Sequence, residues 1–162
     1  MTWTHVSIIT LAIGGGLAFA AVSGYGLGWM GSSDRAMLKP ENPEIVSAGK
    51  QIYLDNCATC HGQNLEGEGN WSVSNPDGTM PAPPHNETGH TWHHGSQLLF
   101  DLTKHGLDEV AGGDGYSTNM PAFKDVLTDE EIVSVLSFIK STWPKEIRAR
   151  HDELDAALAR GG

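Results

Sequence analysis

Four stretches of the chain carry apolar residues in an ordered pattern. The first, Val6 to Met30, contains no Asp, Glu, Lys or Arg. At about 25 residues it is long enough to cross a hydrocarbon layer of roughly 30 Å as a helix. The second puts Val46, Gly49, Ile52 and Tyr53 on one helical face, behind a start signal at Asn42-Pro43 or at Ser47. The third is Leu98, Leu99, Leu102 and Leu107, the core face of a helix expected from Ser96 to Lys104. The fourth sets Ile132, Val135, Leu136 and Ile139 at the i, i+3, i+4, i+7 positions of an amphipathic helix. Leu127-Thr128-Asp129-Glu130-Glu131 opens that helix with a capping box, in which Thr128 and Glu131 each satisfy an orphan backbone N–H. Phe138 and Trp143 add aromatic bulk, and Pro144 ends the run. No β–α–β alternation appears. Gly49 costs a helix about 1 kcal/mol relative to alanine. It makes sense where a second helix crosses at close range; a merely tolerated glycine is the plainer alternative.

These blocks divide the chain into residues 1–30, a polar linker at 31–42, a globular domain at 43–144 and a charged tail at 145–162. The first segment is expected to be a retained transmembrane anchor. Gly16, Ala20, Gly24 and Gly28 form a small-residue stripe along it, on which another membrane helix can pack closely. A signal peptide, cleaved after Ala18-Phe19-Ala20, is the alternative. Against it, no basic residue precedes the apolar run, which continues for about ten residues past Ala20. The tail carries Ile147, Leu154 and Leu158 among both charges. It can form a surface helix that lies on the domain, lies on a partner, or frays.

The chain has 162 residues, with 20 acidic against 10 basic side chains and a net charge of −10. That balance argues against nucleic acid and against docking on an anionic membrane surface. It permits a partner with a basic face. Both cysteines lie in Cys57-Ala58-Thr59-Cys60-His61. Two cysteines two residues apart with histidine next is the attachment signature of a c-type haem. The thiols add to the porphyrin vinyl groups as thioethers, and His61 falls where its imidazole can bind iron. Three other chemistries compete. A thioredoxin-like redox pair wants a β–α–β setting. A zinc site needs two more ligands, for which His85, His90, His93 and His94 are the candidates. A disulfide here would close a loop too short to stabilise much. If haem takes both cysteines, it becomes the staple that a small domain often needs.

Gly49-x-x-x-Tyr53, Cys57-x-x-Cys-His61, Met120-Pro121-Ala122-Phe123 and the Leu127–Ile132 helix start follow one another in a fixed order. Together they make the stretch from Pro43 to Pro144 resemble class I cytochromes c. The resemblance implies an all-α cytochrome c fold around one covalent haem c, held by Cys57, Cys60, His61 and Met120, with His61 and Met120 on the iron. It also implies that the first and last helices of the domain cross at Gly49, Tyr53, Val135 and Phe138. Met80 also precedes a proline and competes for the iron. It lies 19 residues past His61 and precedes no capped helix, whereas Met120 lies 59 past it and immediately before one. The stretch from Gly62 to Gly115 is longer than in the shorter members of the family. A carbonyl in the Pro81–Pro84 run is expected to receive the proximal imidazole N–H. Trp92 and His90 are the candidates for the haem propionates. The four histidines otherwise form a second metal site, cap the helix at Ser96, or face solvent. Gly112–Gly115 is expected to be a loop leading to Met120.

The expected function is a membrane-tethered, monohaem carrier of single electrons, and not an enzyme. With His61 and Met120 on both axial positions, iron has no open site for oxygen or peroxide. The resemblance implies partners such as a quinol-oxidising complex, a terminal oxidase or a reaction centre. The apolar first segment is expected to cross the cytoplasmic membrane of a bacterium once, and the resemblance implies a haem domain on the periplasmic side. Arg35 and Lys39 after the span weakly favour the opposite orientation. The family's attachment of haem outside the cytoplasm overrules them. The alternatives are a fixed haem subunit of a larger oxidoreductase, and a haem-based ligand sensor or enzyme. No paired carboxylates, nucleophile triad or phosphate loop supports the last.

Overall fold

The structure is a computed structural model that describes residues 37–111 and 117–161. The proposed anchor and most of the linker lie outside the described residues, as does the Gly112–Gly115 loop. No helix among the described residues is long and apolar enough to cross a membrane. All of them fall in one compact unit, Asp34–Gly162.

Helix α1 spans Pro43–Asn56. Of the two predicted starts, Asn42-Pro43 is the one used. The Asn42 side chain accepts from the N–H groups of Glu44 and Ile45, and Pro43 takes the first helical position, where its missing N–H leaves nothing unpaired. Helix α2 is the short turn Ala58–His61. A two-residue strand β1, Thr79–Met80, pairs in parallel with β2, Ser117–Thr118. Between them come a 3-10 turn, Thr91–His93, then α3, Ser96–His105, and α4, Leu107–Val110. Helix α5 covers Asp129–Ser141 and α6 covers Lys145–Gly161. Among the described residues the fold is therefore helical, with one minimal strand pair that the apolar pattern did not predict.

The crossing of α1 and α5 organises the core. A Cβ on Gly49 would lie 1.9 Å from the carbonyl oxygen of Ser134, so only glycine lets the two backbones approach this closely. Tyr53 meets Phe138 beside that contact, ring centroids 5.5 Å apart. Ile132, Val135, Leu136 and Ile139 are all buried, as their spacing predicted. The expected capping box forms: Thr128 Oγ1 accepts from Glu131 N–H at 3.2 Å, and Glu131 accepts from Thr128 N–H at 2.8 Å. The third apolar block differs from its prediction. Gly106, at φ +86°, ends α3 before Leu107, and Leu98 is 40% exposed, which leaves Leu99 as the buried leucine of that face. Pro144 ends α5 as expected. Its carbonyl also opens α6, accepting from Ile147 and Arg148 N–H at 3.0 Å each.

Candidate haem centre

The site begins where α1 stops. Cys57 caps α1 through its N–H to Tyr53 O, and its own carbonyl then accepts from Cys60 and His61, at 3.2 and 3.0 Å. That turn sets Cys57, Cys60 and His61 three and four residues apart on one side of the chain. Gly62, at φ +79°, turns the backbone away in a conformation that a side chain would strain. The Tyr53 hydroxyl donates to the carbonyls of His61 and Gly62, at 3.2 and 2.7 Å. Burial holds this phenol protonated, with Cys57 and Glu66 adding to the effect, so it remains a donor.

His61 is buried, and its Nδ1–H donates to Pro83 O at 2.8 Å. The acceptor is a carbonyl, so this bond fixes the tautomer and leaves the lone pair on Nε2. Burial pulls the pKa of His61 down, which the Pro83 carbonyl and Glu68 only partly oppose, so the ring is held neutral. The expectation of an acceptor in the Pro81–Pro84 run is met at Pro83. Gly67 makes the approach possible. At φ +68°, a Cβ there would lie 2.5 Å from Pro84 N. Behind His61, the His85 ring stacks at 4.0 Å between centroids and 24° between planes. His85 Nδ1 is 2.8 Å from Thr91 Oγ1, and its carbonyl accepts from Trp143 Nε1 at 2.7 Å.

On the other arm, Met120 is half-buried and packs against the core cluster that also receives Cys57, Ala58, Trp92 and Phe100. Its N–H donates to Thr118 Oγ1 at 3.1 Å. The next residues are tied to the end of α3, with Phe123 and Lys124 N–H donating to Thr103 O and Lys104 O at 3.0 and 2.9 Å. Met80 is also half-buried, but its sulfur accepts from the Ser74 hydroxyl at 3.1 Å. The β1–β2 register pairs Met80 with Thr118, bringing the two Met-Pro segments side by side. Sequence spacing gave no sign of that.

The histidines of the middle stretch separate. His85 belongs behind His61. His90 lies between Trp71, stacked at 5.1 Å, and His94, edge-on at 5.3 Å. His93 stacks on Trp92 at 3.7 Å. No group of three or more His, Cys, Asp or Glu able to hold a metal ion occurs among the described residues. The second-metal reading therefore finds no support in them. None of the four caps α3, whose Ser96 N–H donates instead to Asp155. Instead, His90 Nδ1 and Trp92 Nε1 are buried without a hydrogen-bond partner in the protein. Buried polar atoms are seldom left so, and an anionic carboxylate such as a haem propionate would satisfy both positions. Burial, with Cys60 second, pushes the Cys57 thiol up to about 11, whereas the attacking cysteine of a redox pair has a depressed pKa.

The family model for cytochrome c matches residues 46–143. The chain belongs to the cytochrome c family. The cofactor of a cytochrome c is covalent haem c and its chemistry is electron transfer; Cys57 and Cys60 have the family's attachment spacing. Among curated relatives, this cytochrome c is 27% identical over 104 residues to the cbb3-type cytochrome c oxidase subunit FixP of Sinorhizobium medicae. That match covers 62% of this chain and 32% of the relative. It is 31% identical over 124 residues to a nitrite reductase of Stutzerimonas stutzeri, covering 72% of this chain and 20% of the relative. The chain thus spans a third or less of the length of these relatives. No solved structure matches.

Proposed function

We propose that the chain is a membrane-tethered, monohaem electron carrier in which Cys57 and Cys60 hold the haem and His61 and Met120 fill the axial positions of its iron. The observation that carries this reading is the bond from His61 Nδ1 to Pro83 O, which orients the imidazole and leaves its Nε2 lone pair free, while burial keeps the ring neutral. When bound, haem c supplies a one-electron ferrous–ferric couple, whose potential a His/Met pair raises. The protein's work is then to hold still. Pro83 and His85 fix the His61 ring from two sides, and Thr118 together with the ties at Phe123 and Lys124 positions Met120. Ligands that barely move between oxidation states keep reorganisation small.

The apolar stretch from Val6 to Met30 supports a single-pass anchor in the cytoplasmic membrane of a bacterium, with the haem domain on the periplasmic side. A tether raises the local concentration of the carrier near membrane partners. Those partners are a quinol-oxidising complex, a terminal oxidase or a reaction centre. The net charge of −10 favours a basic docking face on them.

A second reading, a fixed haem subunit of a larger oxidoreductase, draws on the name of FixP as an oxidase subunit. Two measurements test the proposal. The mature protein, denatured in acid solvent, should retain one haem by intact mass, and its ferrous form should bind carbon monoxide slowly or not at all. Loss of the pigment, or fast and complete binding, overturns the carrier. Blue-native gels after mild solubilisation then separate a free carrier from a fixed subunit.

A further inference from the structure

The tail, whose place the sequence left open, is docked on the domain through a buried polar network. Asp155 on α6 accepts from Ser96 N–H at 2.7 Å and from the Ser96 hydroxyl at 2.6 Å. It does so at the N-terminus of α3, where Gly95 supplies no capping side chain. One turn earlier on α6, His151 is 0% exposed, and its Nε2–H donates to His94 O at 2.9 Å. Its Nδ1 accepts from Lys140 Nζ at 2.9 Å, and that buried ammonium also reaches Asp152 at 2.6 Å. Trp143 lies edge-on to the His151 ring at 5.1 Å. The contacts converge on residues 94–96, directly after the 3-10 turn that carries Trp92. Four residues before Ser96 lies Trp92 and six before it His90, the two whose ring nitrogens are buried without a partner.

We propose that Asp155 is a positioning residue for the haem: by fixing residues 90–96 it holds His90 and Trp92 where their ring nitrogens meet the propionates. The inference rests on the haem reading above and deepens it. A carboxylate that caps a helix from another element ties two pieces of chain together, and here one piece carries the propionate contacts. The physical consequence is a shift in redox balance. Hydrogen bonds to a propionate spread its negative charge, and an anion left unpaired near the iron favours the ferric state. Releasing α6 from Ser96 therefore moves the couple toward ferric without touching either axial ligand.

The experiment compares Asp155→Ala, Ser96→Ala and, as a control on the exposed side of the same helix, Glu153→Ala, all in the full-length holoprotein. Two quantities are read: the reduced-to-oxidised ratio at fixed ambient potential, and solvent exchange of the Trp92 indole N–H in the ferrous state. Asp155→Ala should move the ratio toward ferric by about tenfold, equivalent to about 59 mV for one electron, and should speed the indole exchange. Ser96→Ala should move both in the same direction by less, and Glu153→Ala neither. The iron–thioether charge-transfer band should stay at wild-type intensity throughout. An unchanged ratio in Asp155→Ala while the amides of α6 exchange freely overturns the proposal. If Asp155→Ala does not fold, Ser96→Ala decides alone, and a ratio equal to that of Glu153→Ala overturns it. A wild-type protein without covalent haem instead sinks the earlier reading on which this one rests.

Discussion

Gly49→Ala sets two well-known effects against each other. By helix propensity alone the change stabilises α1 by about 1 kcal/mol. By packing it cannot be accommodated. The new Cβ would lie 1.9 Å from Ser134 O, 2.5 Å from Ser134 C and 3.0 Å from Phe138 Cβ. Two of these atoms belong to the α5 backbone, so no rotamer change relieves the clash and the helices must separate. Restoring an ordinary carbon–oxygen contact requires a shift on the order of 1.5 Å. That loosens the contact of Tyr53 with Phe138 and the packing of Val135 along the same crossing. Overpacking of this kind costs about 1–3 kcal/mol, and the backbone origin of the clash places it at the upper end. After subtracting the propensity gain, a net loss of about 2 kcal/mol remains. For a unit of this size that lowers Tm by roughly 8 °C. Thermal unfolding followed by far-ultraviolet circular dichroism measures it. Gly69→Ala is the matched control, because a Cβ there meets nothing within 4 Å. A Gly49→Ala protein that melts at or above the wild-type temperature would refute the crossing as the reason for this glycine.

Three other outcomes follow from the same structure. Met120→Ala should abolish the iron–thioether charge-transfer band and open the ferrous iron to carbon monoxide, while Met80→Ala, whose sulfur already accepts from Ser74, should keep the band; retention of the band in Met120→Ala would reverse the assignment. Thr128→Ala removes the acceptor for Glu131 N–H and should cost about 1 kcal/mol in urea titrations, with no change in the haem spectrum. Burial first, and the Lys140 ammonium second, pull the pKa of His151 below that of a free imidazole, although Asp155, the His94 carbonyl and Asp152 oppose them. The unfolded state therefore binds the extra proton first. The contribution of His151 is complete above about pH 6.5 and is lost as pH falls from there through the folded pKa. Protection of the α6 amides, taken relative to their intrinsic exchange rate at each pH, should fall as pH drops through that window in the wild type, and protection that falls on raising the pH instead would contradict the assigned tautomer.

What the sequence made legible was whatever depends on side-chain identity. The apolar spacing of α5, the Thr128–Glu131 box, the Asn42-Pro43 start and the small residue at Gly49 each act through the residue itself, and each appears where it was expected. The attachment motif is of the same kind. The acceptors around the site are different. Pro83 receives His61, His85 receives Trp143, and His94 receives His151, every one through a backbone carbonyl. A carbonyl is the same in all residues, so no pattern of letters marks which one is used. The Pro81–Pro84 run was a partial exception, because prolines fix φ and narrow the directions in which their carbonyls can point. The histidine cluster stayed open for the converse reason. Four histidines close in sequence fitted a shared metal, propionate contacts, a helix cap or solvent exposure alike, and it is the 3-10 turn and the bends around it that send His85 and His90 to different neighbours. The role of Asp155 had no local signal either, since its partner Ser96 is 59 residues away.

In the centre proposed above, the His61 arm and the Met120 arm are held in different ways, and the difference bears on electron transfer. On the imidazole arm the restraints are redundant. Pro83 is pressed between Gly67 and the turn that brings Gly89 against Pro84, where a Cβ on Gly89 would come within 2.0 Å of Pro84 O. His85 N–H bonds Leu65 O at 2.9 Å, so the loop after the motif is tied to the residues behind His61. Trp143 at the end of α5 fixes the His85 carbonyl, and α6 fixes residues 94–96. Three elements distant in sequence thus restrain one stretch of about a dozen residues, and breaking one contact leaves the others to hold the ring. Among the described residues, the Met120 arm is tied through the Thr118 hydroxyl and the two backbone bonds from Phe123 and Lys124 to the end of α3. A methionine side chain is itself flexible and adapts its sulfur position at little cost. With haem c held by His61 and Met120 as proposed, the firmly held imidazole would keep ligand movement small between oxidation states, and the adaptable thioether would absorb strain from a docking partner. Under that division of labour, substitutions on the imidazole arm act on the redox balance, whereas substitutions on the thioether arm act on whether the iron stays closed to ligands.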